Sequence, residues 1–275
     1  MLCRTCHRML WTPFERGRRL GPSWKVRLMT AAAPVPLAFD GSRIDGSLFT
    51  AVTDFARETK WLNAPMEWWT NAGLVVFAVL MVAGWWMARR RDASAMTIAL
   101  AAPFSVAVAF AAAEVIKKIA VEPRPCRSMP HAFIVEACPV PSDYAFPSGH
   151  TTAAVATVAA LFLLDRQLSA IAAVFAVLEA FTRVYVGGHY PHDIIGSAIL
   201  ALPIAYLVSL ALRHLFTPLV ARLRTGALAP LLGTGTSDIS ATTRPDPLLT
   251  NDGQPANHCE HTGPASTNDG PSPRW

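Results

Sequence analysis

Apolar positions run along this chain in long blocks rather than in stripes. Residues 71–88, 95–113, 146–164, 167–186 and 194–212 each approach the ~20 mostly apolar residues that cross a bilayer. They are apolar all round, as spanning helices are. Trp68-Trp69 and Trp85-Trp86 bracket the first block, where membrane helices place aromatic anchors. Residues 44–62 differ. Ile44, Leu48, Phe49, Val52, Phe55 and Trp61 are interspersed with Asp54, Arg57, Glu58 and Lys60. That pattern predicts an amphipathic helix at the interface, too charged to span. The expected fold is all-α: an integral membrane helical bundle of about five transmembrane helices, preceded by an interfacial amphipathic N-terminal helix.

Composition agrees with this. Of 275 residues, 52% are hydrophobic and 16% charged, against roughly 25% charged in an average soluble domain. Mean hydropathy is +0.31. A soluble enzyme and a disordered chain are both disfavoured. The pI of about 9.2 suggests nucleic acid at first sight. The basic charge is confined to residues 1–28, which carry seven Lys/Arg against Glu15, so no binding face is implied and no nucleic acid is expected. Translation is expected to begin at Met29. Cys3, Cys6 and His7 lack a second ligand pair, so no metal site is expected. Three segments result: a disordered tail over 1–43, a membrane domain over 44–222, and a disordered Thr/Pro/Gly/Asn-rich tail over 223–275.

Orientation follows from the Lys/Arg bias. Arg89-Arg90-Arg91, Asp165-Arg166, and Arg213, Arg222 and Arg224 mark one face as cytoplasmic. Loops 117–150 and 183–193 then lie outside. Residues 29–70, with three Lys/Arg against five Asp/Glu, are compatible with the same side.

The chemistry sits in those two outer loops. Lys117-x6-Arg124-Pro125, Pro147-Ser148-Gly149-His150 and Arg183-x5-His189-x3-Asp193 each lie at the outer end of a span. Each has an ordinary reading: a snorkelling cation, a turn with an N-cap, an interfacial hydrogen bond. Their convergence on one face argues for a site. Three cations, Lys117, Arg124 and Arg183, suit a multiply charged anion, and phosphate fits best. Gly149 permits close backbone approach, and amides after Ser148 add donors and a favourable dipole. Histidine exchanges protons or attacks near neutral pH. His189 and Asp193 are spaced i, i+4, so the carboxylate can aim the ring, which leaves His150 to protonate a leaving oxygen. With no carboxylate cluster suited to Mg²⁺, the cations would do the charge work and no cofactor is expected.

The pattern K-x6-R-P, P-S-G-H and R-x5-H-x3-D resembles the type 2 phosphatidic acid phosphatase superfamily, which holds membrane lipid phosphatases and is related to vanadium haloperoxidases. The resemblance covers roughly residues 44–213. It implies that His189 is a nucleophile forming a phosphohistidine, that Asp193 supports it and that His150 is the acid. It implies phosphate binding by Lys117, Arg124, Ser148, Gly149 and Arg183. One departure is Thr182 before Arg183, where the family usually has serine; a hydroxyl is retained. Leu48-Phe49 in the amphipathic leader, the compact spans and Gly187-Gly-His-Tyr-Pro-His-Asp193 are similar to the bacterial undecaprenyl-diphosphatase type. That likeness implies removal of the terminal phosphate of a polyprenyl diphosphate at the outer face of a bacterial plasma membrane, in cell-wall lipid recycling. The alternatives are a phosphatase for another lipid (phosphatidylglycerol phosphate, phosphatidic acid or a polyprenyl-phosphoryl sugar), a lipid phosphotransferase, and a non-catalytic lipid-binding or transport protein.

Secondary residues complete the expectations. Cys126 and Cys138, twelve apart in one outer loop, form a candidate disulfide, with two free thiols as the alternative. Glu179 and Arg183, at i and i+4, are expected to pair, and Glu114 is expected to pair with Lys117 or Lys118. His192 is assigned no role in the motif.

Overall fold

The computed structural model describes residues 40–233, and all regular structure among them is helical. The expected start at Met29 and most of both tails lie outside the described residues. The chain enters α1 (Ser42–Glu58) at Asp40, whose carboxylate accepts from the Ser42 amide and hydroxyl at 3.2 and 2.7 Å. Phe49, Thr53 and Ala56 are buried while Ile44, Leu48 and Phe55 stay exposed, so α1 is two-faced as its pattern predicts.

Helices α2 (Lys60–Ala72) and α3 (Leu74–Ala88) meet at Gly73 with a bend of 47°. A Cβ at Gly73 would stand 2.7 Å from the Trp69 carbonyl oxygen and 2.8 Å from Glu179 Oε2, so the close approach requires glycine. Helix α4 (Ala93–Ala120) is capped by Asp92, which accepts from the Ala95 amide at 2.9 Å. It ends at Val121, whose φ of 51° places a β-branched residue in the left-handed region. A single turn, α5 (Pro125–Ser128), and an irregular loop follow, with Cys126 bonded to Cys138 and their Cα atoms 5.9 Å apart.

Helix α6 (Gly149–Leu164) starts at the N-cap Ser148 and stops at Asp165. Asp165 alone links it to α7 (Arg166–Tyr185), capping that helix by accepting from the Gln167 and Leu168 amides at 3.0 Å each. Helix α8 (Pro191–Arg224) begins with proline, whose missing N–H costs nothing at that position. A short α9 (Ala229–Leu232) closes the described chain, so regular structure continues past the boundary expected at residue 222.

Three helices, α4, α7 and α8, are long and apolar enough to cross a membrane, and α2 with α3 passes as a bent pair. The fifth expected span is shorter than its apolar block. Phe146–Ser148 lie before the helix, and 16 residues span only about 24 Å against a hydrocarbon core of about 30 Å.

Where α4, α6 and α8 meet, the core is built from small side chains. Ala109, Ala156, Ala159, Ala201 and Ala205 cluster where α4, α6 and α8 meet. The buried Ser105 and Ser209 hydroxyls bond at 2.7 Å between α4 and α8. Small residues and hydroxyl pairs are what bring helices together where lipid removes the hydrophobic drive. Many large apolar side chains elsewhere face outward, among them Val79, Phe104, Ile119, Val177 and Ile199. Because α4, α6, α7 and α8 alternate in direction, the C-terminal ends of α4 and α7 join the N-terminal ends of α6 and α8. The candidate residues sit there.

Candidate active site

Each motif residue is placed by the end of a helix. Lys117 lies in the last turn of α4, Arg124 caps α5, Ser148 caps α6 with Gly149 and His150 in its first turn, and Arg183 ends α7. His189 precedes α8, and Asp193 is its third residue. The Asp193 carboxylate reaches back to accept from the N-cap amide of Tyr190 at 2.9 Å, the helix-start geometry of a capping box. Its same oxygen, Oδ2, lies 3.3 Å from His189 Nδ1.

Hydrogen-bond chemistry then fixes the state of the His189 ring. A carboxylate only accepts, so Nδ1 carries the proton. Arg124 Nη1 lies 3.0 Å from His189 Nε2, and a guanidinium only donates, so Nε2 presents its lone pair. The ring is 1% exposed. Burial first, then the charges of Arg124, Arg183 and Lys117, hold its pKa well below the ordinary 6.5. His189 is therefore neutral near pH 7, with Nδ1 held by Asp193 and the Nε2 lone pair turned to Arg124. His150 is half-buried at the start of α6, within electrostatic reach of Arg183, Arg124, Lys117 and Asp143.

The three cations converge, and each meets an acid that the motifs did not include. Asp143 bridges two of them: its Oδ2 is 2.8 Å from Arg124 Nη2 and its Oδ1 is 3.5 Å from Lys117 Nζ. Lys117 also meets Glu114 at 2.9 Å, as expected from their spacing. Arg183 does not pair with Glu179 among the described residues. It turns to Glu136, with Nη2 3.1 Å from Oε2. The reason is backbone anchoring: the Val135 and Glu136 amides both donate to the Val186 carbonyl at 3.0 Å, which fixes Glu136 beside the end of α7. A Cβ at Gly188 would stand 2.5 Å from Glu136 Oε2 and 2.8 Å from Arg183 Nη2, so glycine makes room for the pair.

Two further motif residues have structural tasks. Ser148 Oγ accepts from the Thr151 hydroxyl at 3.2 Å, and its carbonyl accepts from Ser197 Oγ of α8 at 3.1 Å. A Cβ at Gly149 would lie 3.0 Å from the Phe110 ring, so this glycine lets α6 approach α4.

Sequence reasoning missed Asp143, Glu136, Glu122 and Asp45, and gave His192 no role. The structure places His192 among carboxylates. Its Nδ1 is 2.8 Å from Asp45 Oδ1, and its Nε2 is 3.0 Å from Glu122 Oε1. The available signal was charge balance: Glu114, Glu122, Glu136 and Asp143 lie in the same stretch as the basic motif residues Lys117 and Arg124.

A helical membrane bundle with histidines, a histidine-bound carboxylate and three converging cations suits a phosphate-transferring membrane protein, and residues 98–216 match the model of the PAP2 superfamily. Among curated relatives, the chain is 28% identical over 161 residues to undecaprenyl-diphosphatase BcrC of Bacillus subtilis (strain 168), covering 58% of this chain and 80% of the relative. It is 34% identical over 105 residues to an undecaprenyl-diphosphatase of Sulfolobus acidocaldarius, covering 38% of this chain and 50% of that protein. The matched family segment includes every motif residue from Lys117 to Asp193.

Proposed function

We propose that this protein removes the terminal phosphate of a polyprenyl diphosphate, of the undecaprenyl type, at the extracytoplasmic face of a bacterial plasma membrane. The observation that carries the mechanism is the His189 ring, held between Asp193 at 3.3 Å and Arg124 at 3.0 Å. Nε2 attacks the terminal phosphorus. The bond from phosphorus to the bridging oxygen breaks, and His150 delivers a proton to that oxygen as the polyprenyl monophosphate leaves. Water then attacks the phosphohistidine, His150 takes the proton, and inorganic phosphate departs with His189 restored. Lys117, Arg124 and Arg183 exchange their carboxylate partners for phosphate oxygens and stabilise the charge of the transition state. Ser148 and Gly149 place the start of α6 against the same phosphate. No metal enters this scheme.

Both curated relatives carry the name undecaprenyl-diphosphatase, and this supports the choice of substrate. The Lys/Arg bias supports the orientation. The test is phosphate release by purified protein in detergent with EDTA. Undecaprenyl diphosphate, phosphatidylglycerol phosphate and phosphatidic acid are offered side by side, with His189→Ala as blank. Preference for the diphosphate and a silent His189→Ala protein are expected. Preference for a glycerolipid would keep the chemistry and discard the substrate. A His189→Ala protein with near-normal rates would discard the chemistry.

A further inference from the structure

Next to the His189–Asp193 pair is a second set of groups that the mechanism above does not use. Glu122 and Asp193 are both fully buried, side by side. His192 stands beside both. Its Nε2 is 3.0 Å from Glu122 Oε1 and 3.4 Å from Asp193 Oδ1. On its other side, Nδ1 is 2.8 Å from Asp45 Oδ1 and its backbone amide donates to Asp45 Oδ2 at 2.6 Å. The ring is stacked between Phe146 and Tyr190, with interplanar angles of 18° and 17°. Three separate elements thus meet on one imidazole: α1 through Asp45, the turn after α4 through Glu122, and α8 through Asp193. The left-handed Val121 immediately precedes Glu122 in that turn.

Each ring nitrogen faces a carboxylate oxygen, and a carboxylate only accepts. With these acids ionised, both nitrogens donate and the ring is an imidazolium. Its charge has a purpose. Two buried carboxylates without a cation between them hold a proton in common, because like charges at such range do not both persist. A proton on Asp193 would compromise its hold on His189 Nδ1–H and leave the nucleophile's ring unaimed.

We infer that His192, as a cation clamped by Asp45 and Glu122, is a positioning residue that keeps Asp193 an anion and so holds His189 in its attacking tautomer. The amphipathic helix α1 is thereby part of the active-site support, through Asp45. This rests on the reading of His189 as nucleophile given above. Loss of such an outer partner of a working group typically costs about 10- to 100-fold. The effect should fall on kcat, because neither Asp45 nor His192 holds a phosphate-binding cation.

The test uses full-length protein in detergent with undecaprenyl diphosphate. His192→Gln and Asp45→Asn are expected to lower kcat by about 10-fold or more, with little change in KM. His192→Arg, planar, permanently charged and able to donate to both Asp45 and Glu122, is expected to recover much of the loss. Wild-type kcat in both His192→Gln and Asp45→Asn, with His189→Ala silent, would overturn the inference alone. Activity in His189→Ala would instead overturn the reading beneath it. Glu122, His192 and Asp193 also present ligand atoms within 4.8 Å of one another. Loss of activity in EDTA, with recovery on adding Mn²⁺ or Zn²⁺, would overturn the imidazolium in favour of a bound cation.

Discussion

The tautomer of one ring decides how the site responds to pH. In the proposed scheme His189 attacks only while Nε2 is unprotonated, and burial and neighbouring cations hold its pKa below 6.5. The acid limb of the kcat–pH profile is therefore expected below pH 6.5, with activity retained down to that point and lost on further acidification. An acid limb centred at or above pH 6.5 would contradict the arrangement. His150 is open to a leaving-group test. His150→Ala should slow hydrolysis of phosphatidic acid, whose alkoxide leaves poorly, more than that of a polyprenyl diphosphate, whose leaving group is a phosphate. Equal slowing of both would deny His150 the role of acid. On the proposed function, Asp143 competes with substrate for Arg124 and Lys117. Its removal in Asp143→Asn is expected to tighten inhibition by inorganic phosphate about three- to tenfold, roughly 1 kcal/mol for a partly exposed ion pair. An unchanged or weaker inhibition constant would show that the carboxylate does not occupy the phosphate position.

At the scale of elements, the loop from Arg124 to Ser148 carries more of the site than any helix. The disulfide joins Cys126, two residues from Arg124, to Cys138, two residues from Glu136. It holds one phosphate-binding guanidinium and the partner of another in register. Cys126→Ser with Cys138→Ser is expected to lower stability by about 2–3 kcal/mol, as for a loop of this length, and to raise KM for the lipid. An unfolding midpoint and KM both equal to wild type would sink that view. The same loop shows where reading a sequence works and where it stops. The motif residues were legible because helix ends carry them and their spacings are local, as in His189 and Asp193. Glu136, Asp143, Glu122 and Asp45 were not, because an acid in an irregular segment has no periodicity and its partner is distant in sequence. Asp45 and His192 are 147 residues apart. Arg183 illustrates the cost of local reasoning. The i, i+4 rule pointed it at Glu179, whereas backbone bonds to Val186 bring Glu136 to it.

At the scale of the molecule, hydrophobic blocks located the helices well but not their ends. Residues 95–113, 167–186 and 194–212 fall within or almost wholly within α4, α7 and α8. Residues 146–164 were read as one span because Phe146 and Pro147 are apolar, yet the Ser148 cap starts the helix only at Gly149. Residues 71–88 hid the bend at Gly73, which is set by its approach to Glu179 and Trp69 rather than by any loss of hydrophobicity.

The pairing of every candidate phosphate-binding cation with an acid has a consequence for competition among substrates. Lys117, Arg124 and Arg183 face Glu114, Asp143 and Glu136, so the charges cancel locally and the site projects little field into the water outside. Soluble phosphate esters, however abundant, gain no long-range attraction and must displace three carboxylates from dilute solution. A lipid arrives already concentrated in the plane of the membrane, and its tail keeps the head group at the site while the exchange takes place. Discrimination between lipid and soluble phosphates then comes from how the substrate is delivered.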